Sequence, residues 1–223
     1  MPFFKCDSGL VYFFHVPKCG GSSIEATLLT KGFKLSFYDD KFWQKDHLSY
    51  FKSSPQHITQ RDFKSIFAED IFFYKFALVR DPVSRLLSAY AWNRKRIGRF
   101  VTFEQMISKL EKNVISKNDY FGKKYDNHFV PANRLVPEDC DVFYLEKDIK
   151  TLEVKLGEKL NVDIDLSKKH NTGEYKVSDV KNIKDFLKKF LLPQSPEIND
   201  VSEQIVSRVK ILYSEDYQRF SFE

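Results

Sequence analysis

Apolar residues run almost unbroken through two stretches, Val11 to Val16 and Ile71 to Val79. Runs of that length bounded by turn residues predict buried strands, and the second reads as a parallel strand covered on both faces. Each is followed by a helical pattern. After the first, Pro17, Lys18, Gly20 and Gly21 form a tight turn that opens a helix at Ser22 or Ser23, with Ile24, Leu28 and Leu29 as its apolar stripe. Ser22 and Glu25 have the spacing of a capping box. After the second, Asp81 suits the N-cap and Pro82 the first helical position, with Val83, Leu87 and Tyr90 or Ala91 facing the core and Ser84 and Ser88 sharing another face.

Alternating strands and helices of this kind predict an α/β fold, a single P-loop-like domain spanning residues 1–223 with a central parallel sheet flanked by helices. Ligands of such sheets bind at the carboxyl ends of the strands. Thr30 to Asp70, with Tyr38, Phe42, Trp43, His47 and Phe51 among polar residues, predicts a less regular cap over the site. Leu152 to Phe190 is lysine-rich with helical spacing at Ile183, Phe186, Leu187 and Phe190, which predicts a peripheral region ending before Pro193 and Pro196. Ile198 to Tyr217 predicts one closing helix.

The two turns carry the candidate chemistry. A helix N-terminus presents unsatisfied N–H donors and partial positive charge, so a glycine-flanked Lys18 with Ser22 and Ser23 suits a phosphate or sulfate. Walker A places its lysine after the glycines, whereas Lys18 precedes Gly20 and Gly21, which disfavours an ordinary ATP or GTP hydrolase. Arg80 just before the second helix and Ser88 two turns into it could meet a second phosphate, the arginine through a charge-assisted fork.

Composition adds bounds. The chain has 223 residues, 42% of them hydrophobic, enough for one α/β domain with a substantial core. A net charge of +5 favours anionic ligands, although lysines scattered over surface helices give the same total. Cys6, Cys19 and Cys140 are odd in number and widely spaced, which argues against a disulfide framework and a structural zinc site. With neither a signal-peptide pattern nor a bilayer-length apolar run, the expectation is a soluble cytoplasmic protein.

HVPKCGGSS at His15 to Ser23 and RDPVSRLLSAY at Arg80 to Tyr90 resemble, in order, the two nucleotide-binding motifs of the sulfotransferases that use 3′-phosphoadenosine 5′-phosphosulfate (PAPS), specifically the carbohydrate branch related to heparan and chondroitin sulfotransferases. The resemblance implies that Pro17, Lys18, Gly20, Gly21, Ser22 and Ser23 hold the 5′-phosphosulfate and that Arg80 and Ser88 hold the 3′-phosphate. Cys19 departs from the threonine usual in that family. SPQHIT around His57, NHFVPANRLV at Asn127 to Val136, VFYLEKD at Val142 to Asp148 and the ending LYSEDYQRF are weaker likenesses. The implied reaction is sulfuryl transfer from PAPS to a hydroxyl, with a glycan as the expected acceptor, Lys18 neutralising the leaving phosphate and His57 as general base. No metal and no nucleic acid are required.

Blander readings stand beside these. The Lys18 loop can also be read as a structural turn, Arg80 and Ser88 as helix-capping residues with Arg80 paired to a carboxylate such as Asp81, and His57 as a loop histidine. His15 is expected to fix its loop rather than titrate. His128 either contacts the acceptor or anchors a loop. Arg94, Lys95, Arg96 and Arg99 form either a solvated face or a steering patch for an anionic glycan. A nucleotide-dependent kinase and a noncatalytic binder of anionic glycan or nucleic acid are the alternative functions. The aromatic residues fall mainly in apolar strand-like runs, which is more typical of core than of stacking platforms.

Overall fold

Strands β1 (Phe3–Cys6), β2 (Gly9–Phe14), β3 (Phe72–Val79) and β4 (Asp141–Tyr144) form one sheet in that spatial order. The computed structural model describes residues 2–39, 41–42, 53–167 and 196–222. β2, β3 and β4 are parallel, as expected. β1, which was not anticipated, is an antiparallel edge strand joined to β2 by a hairpin. Four residues beside a polar turn carry too little pattern to announce a strand. The first predicted strand also ends earlier, at Phe14, because the chain turns at Val16, whose amide donates to the Phe14 carbonyl at 2.9 Å.

The sheet is buried on both faces. Tyr12, Phe14, Ala77 and Val79 face one hydrophobic cluster, and Val11, Phe13, Phe76 and Leu78 face the other. The first cluster is covered by α2 (Gln60–Ile66), α3 (Pro82–Trp92), α5 (Phe103–Lys117) and α7 (Glu203–Leu212), and the second by α1 (Gly21–Thr30) and α6 (Ile149–Leu160). Between α3 and α5 lies the short α4 (Arg94–Ile97). Burial on both sides explains why β3 is apolar throughout its carboxyl half. A register shift against Leu10 and Val11 lets Phe72 and Tyr74 enter opposite clusters, with Phe73 exposed between them.

Leu152 and Leu156 on α6 are fully buried, so the start of the lysine-rich stretch belongs to the core rather than the periphery. Ile183, Phe186, Leu187, Phe190 and Pro193 lie outside the described residues, as do Trp43, His47 and Phe51 of the predicted cap. The predicted closing helix is a 3-10 turn (Ile198–Asp200) followed by α7 and α8 (Ser214–Phe220), broken at Tyr213. Tyr213 is buried and its hydroxyl donates to the Phe129 carbonyl at 2.6 Å, a tertiary bond that helical periodicity does not register.

Because β2 and β3 are parallel, with Phe14 opposite Ala77, the chain leaves both strands at the same end of the sheet. The Lys18 loop and Arg80 therefore emerge side by side.

Candidate active site

The loop after β2 has the backbone of an anion cradle. Lys18 has φ 70° and Gly20 has φ 84°, positive-φ residues on either side of Cys19, a backbone of the kind that forms anion-binding concavities. A lysine in that region costs of order 1–3 kcal/mol, a strain of the kind that accumulates at ligand sites. Gly20 is the N-cap of α1 and, as glycine, offers no side chain to the helix's first amides. The expected Ser22–Glu25 capping box does not form. Ser22 is exposed, and the buried Glu25 carboxylate instead accepts from Nδ1 of buried His15 at 2.5 Å. Leu29, expected in the core stripe, is also exposed, because α1 turns Ile24, Glu25 and Leu28 inward.

His15 does fix this loop. A Cβ on Gly21 would lie 2.4 Å from the His15 ring, so glycine is needed there by close approach. Cys19 points into the core, 1% exposed, with its thiol pushed up to about 12 by burial. Lys18 Nζ lies 4.1 Å from the centre of the half-exposed Trp92 ring. Burial brings its ammonium down to about 8; a charge on Cys19 would oppose this, and the Arg80 charge adds to it.

Asp81 caps α3, accepting from the Ser84 amide at 2.9 Å, with Pro82 at the first helical position as expected. Arg80 pairs with Glu146 rather than Asp81, Nε to Oε1 at 3.0 Å, on a partly exposed surface. Ser88 is half-buried on the same helix. Glu146 belongs to the VFYLEKD stretch, which β4 brings alongside β3.

Three buried imidazoles adjoin the loop. His57, in a 3-10 turn (Pro55–His57), has its ring 4.8 Å from that of His15 and 5.3 Å from that of His128. Its Nδ1 lies 2.8 Å from Asp126 Oδ2, and an ionised carboxylate only accepts, so the Nδ1 proton points at Asp126. Asp126 also accepts from the Ser54 amide at 2.6 Å and the Ser54 hydroxyl at 2.8 Å. Burial alone would raise the Asp126 carboxyl; the facing His57, the Ser54 amide and His128 outweigh that and hold it well below the usual range. Burial lowers the pKa of His57, with Asp126 opposing and His15 adding to the shift, so at neutral pH the ring is an uncharged base with Nε2 available.

Further supports come from distant chain. Asn127 Nδ2 donates to the His57 carbonyl at 2.6 Å. Buried Asp216 accepts from the Ala132 and Asn133 amides, both at 2.8 Å, and so ties the NHFVPAN segment to the C-terminal LYSEDYQRF segment. Arg85, 1% exposed, donates to the Val130 carbonyl from beneath. Asp126, Asn93 and Trp92 were not singled out from sequence, and Glu25 only as a capping residue. Asp126 is 69 residues from its histidine, a separation without local pattern.

Ligand atoms of His57, Asp126 and His128 lie within 4.8 Å of one another, and Asp126 is engaged by His57 and Ser54. Among the described residues no helix is long and apolar enough to cross a membrane.

Neither the curated proteins nor the solved structures yield a match to this chain. The model described as "Sulfotransferase family" matches residues 1–223, the whole chain, and the chain therefore belongs to the sulfotransferase family, whose chemistry is sulfuryl transfer.

Proposed function

We propose that residues 1–223 act as one PAPS-dependent sulfotransferase domain that sulfates a hydroxyl on a carbohydrate. The observation that carries this reading is the pairing of His57 with Asp126, which leaves Nε2 as a base beside the lysine-bearing loop that opens α1 at Gly20. The loop from Pro17 to Ser23, through the amides of Lys18, Gly20, Gly21 and Ser22 and the Ser22 and Ser23 hydroxyls, would hold the 5′ end of the donor, and Arg80 and Ser88 its 3′-phosphate. His57 Nε2 takes the acceptor's proton as the acceptor oxygen bonds to sulfur. The bond from sulfur to the bridging oxygen breaks, its electron pair goes to the leaving phosphate, and Lys18 neutralises the charge that develops there. Adenosine 3′,5′-bisphosphate is released.

The surface next to Lys18 supports an anionic glycan as acceptor. Trp92, Lys95, Arg96, Arg99 and Phe100 are all exposed, combining apolar rings with cations. Arg94 is not part of that face. Its guanidinium turns inward to the Tyr90 hydroxyl and to the Val101 and Arg99 carbonyls. The absence of disulfides among Cys6, Cys19 and Cys140 is compatible with a reducing, cytoplasmic setting.

Transfer of radiolabelled sulfate from PAPS to polysaccharide acceptors, with His57→Ala alongside the native protein, tests the reading. The variant is expected to keep donor affinity and lose transfer. A fully active variant removes His57 from the mechanism.

A further inference from the structure

The three clustered imidazoles are not in equivalent states. Nδ1 of His15 and Nδ1 of His57 each meet a carboxylate, at 2.5 and 2.8 Å. Nδ1 of His128 instead meets the side-chain nitrogen of Asn93 at 2.8 Å. Asn93 is 3% exposed, and the same Nδ2 lies 2.8 Å from the Ala89 carbonyl. A carbonyl can only accept, so it fixes which way the Asn93 amide faces, and the two amide hydrogens go one to Ala89 and one to His128. His128 Nδ1 must then be the acceptor. A neutral imidazole with a bare Nδ1 carries its proton on Nε2, and the doubly protonated ring would oppose one N–H to another.

We propose that Asn93 is a positioning residue that holds His128 neutral with its proton on Nε2. The cluster thereby offers the transfer site one accepting nitrogen, Nε2 of His57, and one donating N–H, that of His128. The inference rests on the sulfotransferase reading given above for the use of these groups, and it extends that reading to a residue at the end of α3. A neutral N–H beside the base can donate to a sulfuryl oxygen without placing a second cation next to His57 at the moment His57 gains its proton. The charged and titratable groups around His128 agree. Burial holds it well below the ordinary histidine range; the neighbouring His57, Lys18 and His15 act in the same sense, and Asp126 alone opposes.

Nitrogen-15 NMR of histidine-labelled native protein at neutral pH, with His128→Gln to assign the signal among the five histidines, reads the tautomer directly. A proton on Nε2 and a bare Nδ1 for His128 are expected, and a protonated Nδ1 overturns the proposal. Asn93→Asp places an acceptor opposite Nδ1. It should move the His128 proton to Nδ1, lower kcat with the donor KM unchanged, and shift the acid limb of the pH profile; an unchanged tautomer and profile would also overturn the proposal. The native spectrum decides the matter even where the variant does not fold. Because it needs no donor or acceptor, a wrong tautomer in an active enzyme sinks only the role of Asn93, whereas the expected tautomer in a protein that transfers no sulfate sinks only the functional reading.

Discussion

Replacing Asp126 by asparagine tests the proton arrangement at His57 with almost no change in shape. Oδ1 accepts from the Ser54 amide at 2.6 Å, and an asparagine carbonyl there keeps that bond. Oδ2 accepts from the Ser54 hydroxyl and from His57 Nδ1, both at 2.8 Å, and an amide NH2 in its place faces two donors. The hydroxyl can rotate, but the imidazole must move its proton to Nε2, the atom required to accept one. The variant also removes the carboxylate that stabilises the imidazolium formed during transfer. Opposite charges about 4 Å apart at an effective dielectric near 20 attract by about 4 kcal/mol, part of which is offset by desolvation. A barrier increase of about 3–4 kcal/mol corresponds to a loss of kcat of about 10²–10³-fold. Sulfate transfer measured beside calorimetric titration of adenosine 3′,5′-bisphosphate should show that loss with donor affinity intact. Stability should fall by about 1–3 kcal/mol at neutral pH. The folded-state pKa of Asp126 is depressed, so its contribution is present above the unfolded value of about 4 and lost as pH falls below it. The deficit of the variant should therefore shrink in acid. Retention of kcat within about threefold would refute the assignment of His57 and Asp126 as a unit.

Two further outcomes follow from single side chains. Lys18, brought down to about 8, is charged below that pH and neutral above it. Bisphosphate affinity should therefore decline as pH rises through about 8, while Lys18→Arg stays charged and shows no such step; a native profile without it contradicts a role for Lys18 at the phosphate. Tyr12 is fully buried among phenylalanines, and among the described residues its hydroxyl has no hydrogen-bond partner. Tyr12→Phe should raise stability by about 1 kcal/mol in denaturant unfolding, and a loss would show that the hydroxyl is satisfied.

What could be read from the chain follows the range of each interaction. The apolar run of β3 and the Asp81–Pro82 start of α3 are local, and both stand as expected. Glu25 shows where local reading fails: its spacing from Ser22 fits a cap, but a buried histidine ten residues earlier competes for the carboxylate and wins. The base's partner was illegible for the same reason, because a hydrogen bond between His57 and Asp126 leaves no periodicity and exists only once the 3-10 turn and the NHFVPAN segment pack together. Arg94, counted by its charge as part of a solvated face, turns inward because backbone carbonyls at Arg99 and Val101 are within its reach.

The central claim is a site for a nucleotide with phosphates at two ends, built where β2 and β3 end side by side. Calorimetric titration with adenosine 3′,5′-bisphosphate, AMP and magnesium-ATP, on the native protein and on Arg80→Ala, tests it without knowledge of the acceptor. The account predicts tight binding of the bisphosphate, much weaker binding of AMP, and loss of that difference in Arg80→Ala. Equal affinity for AMP and bisphosphate, or a preference for magnesium-ATP, would contradict it.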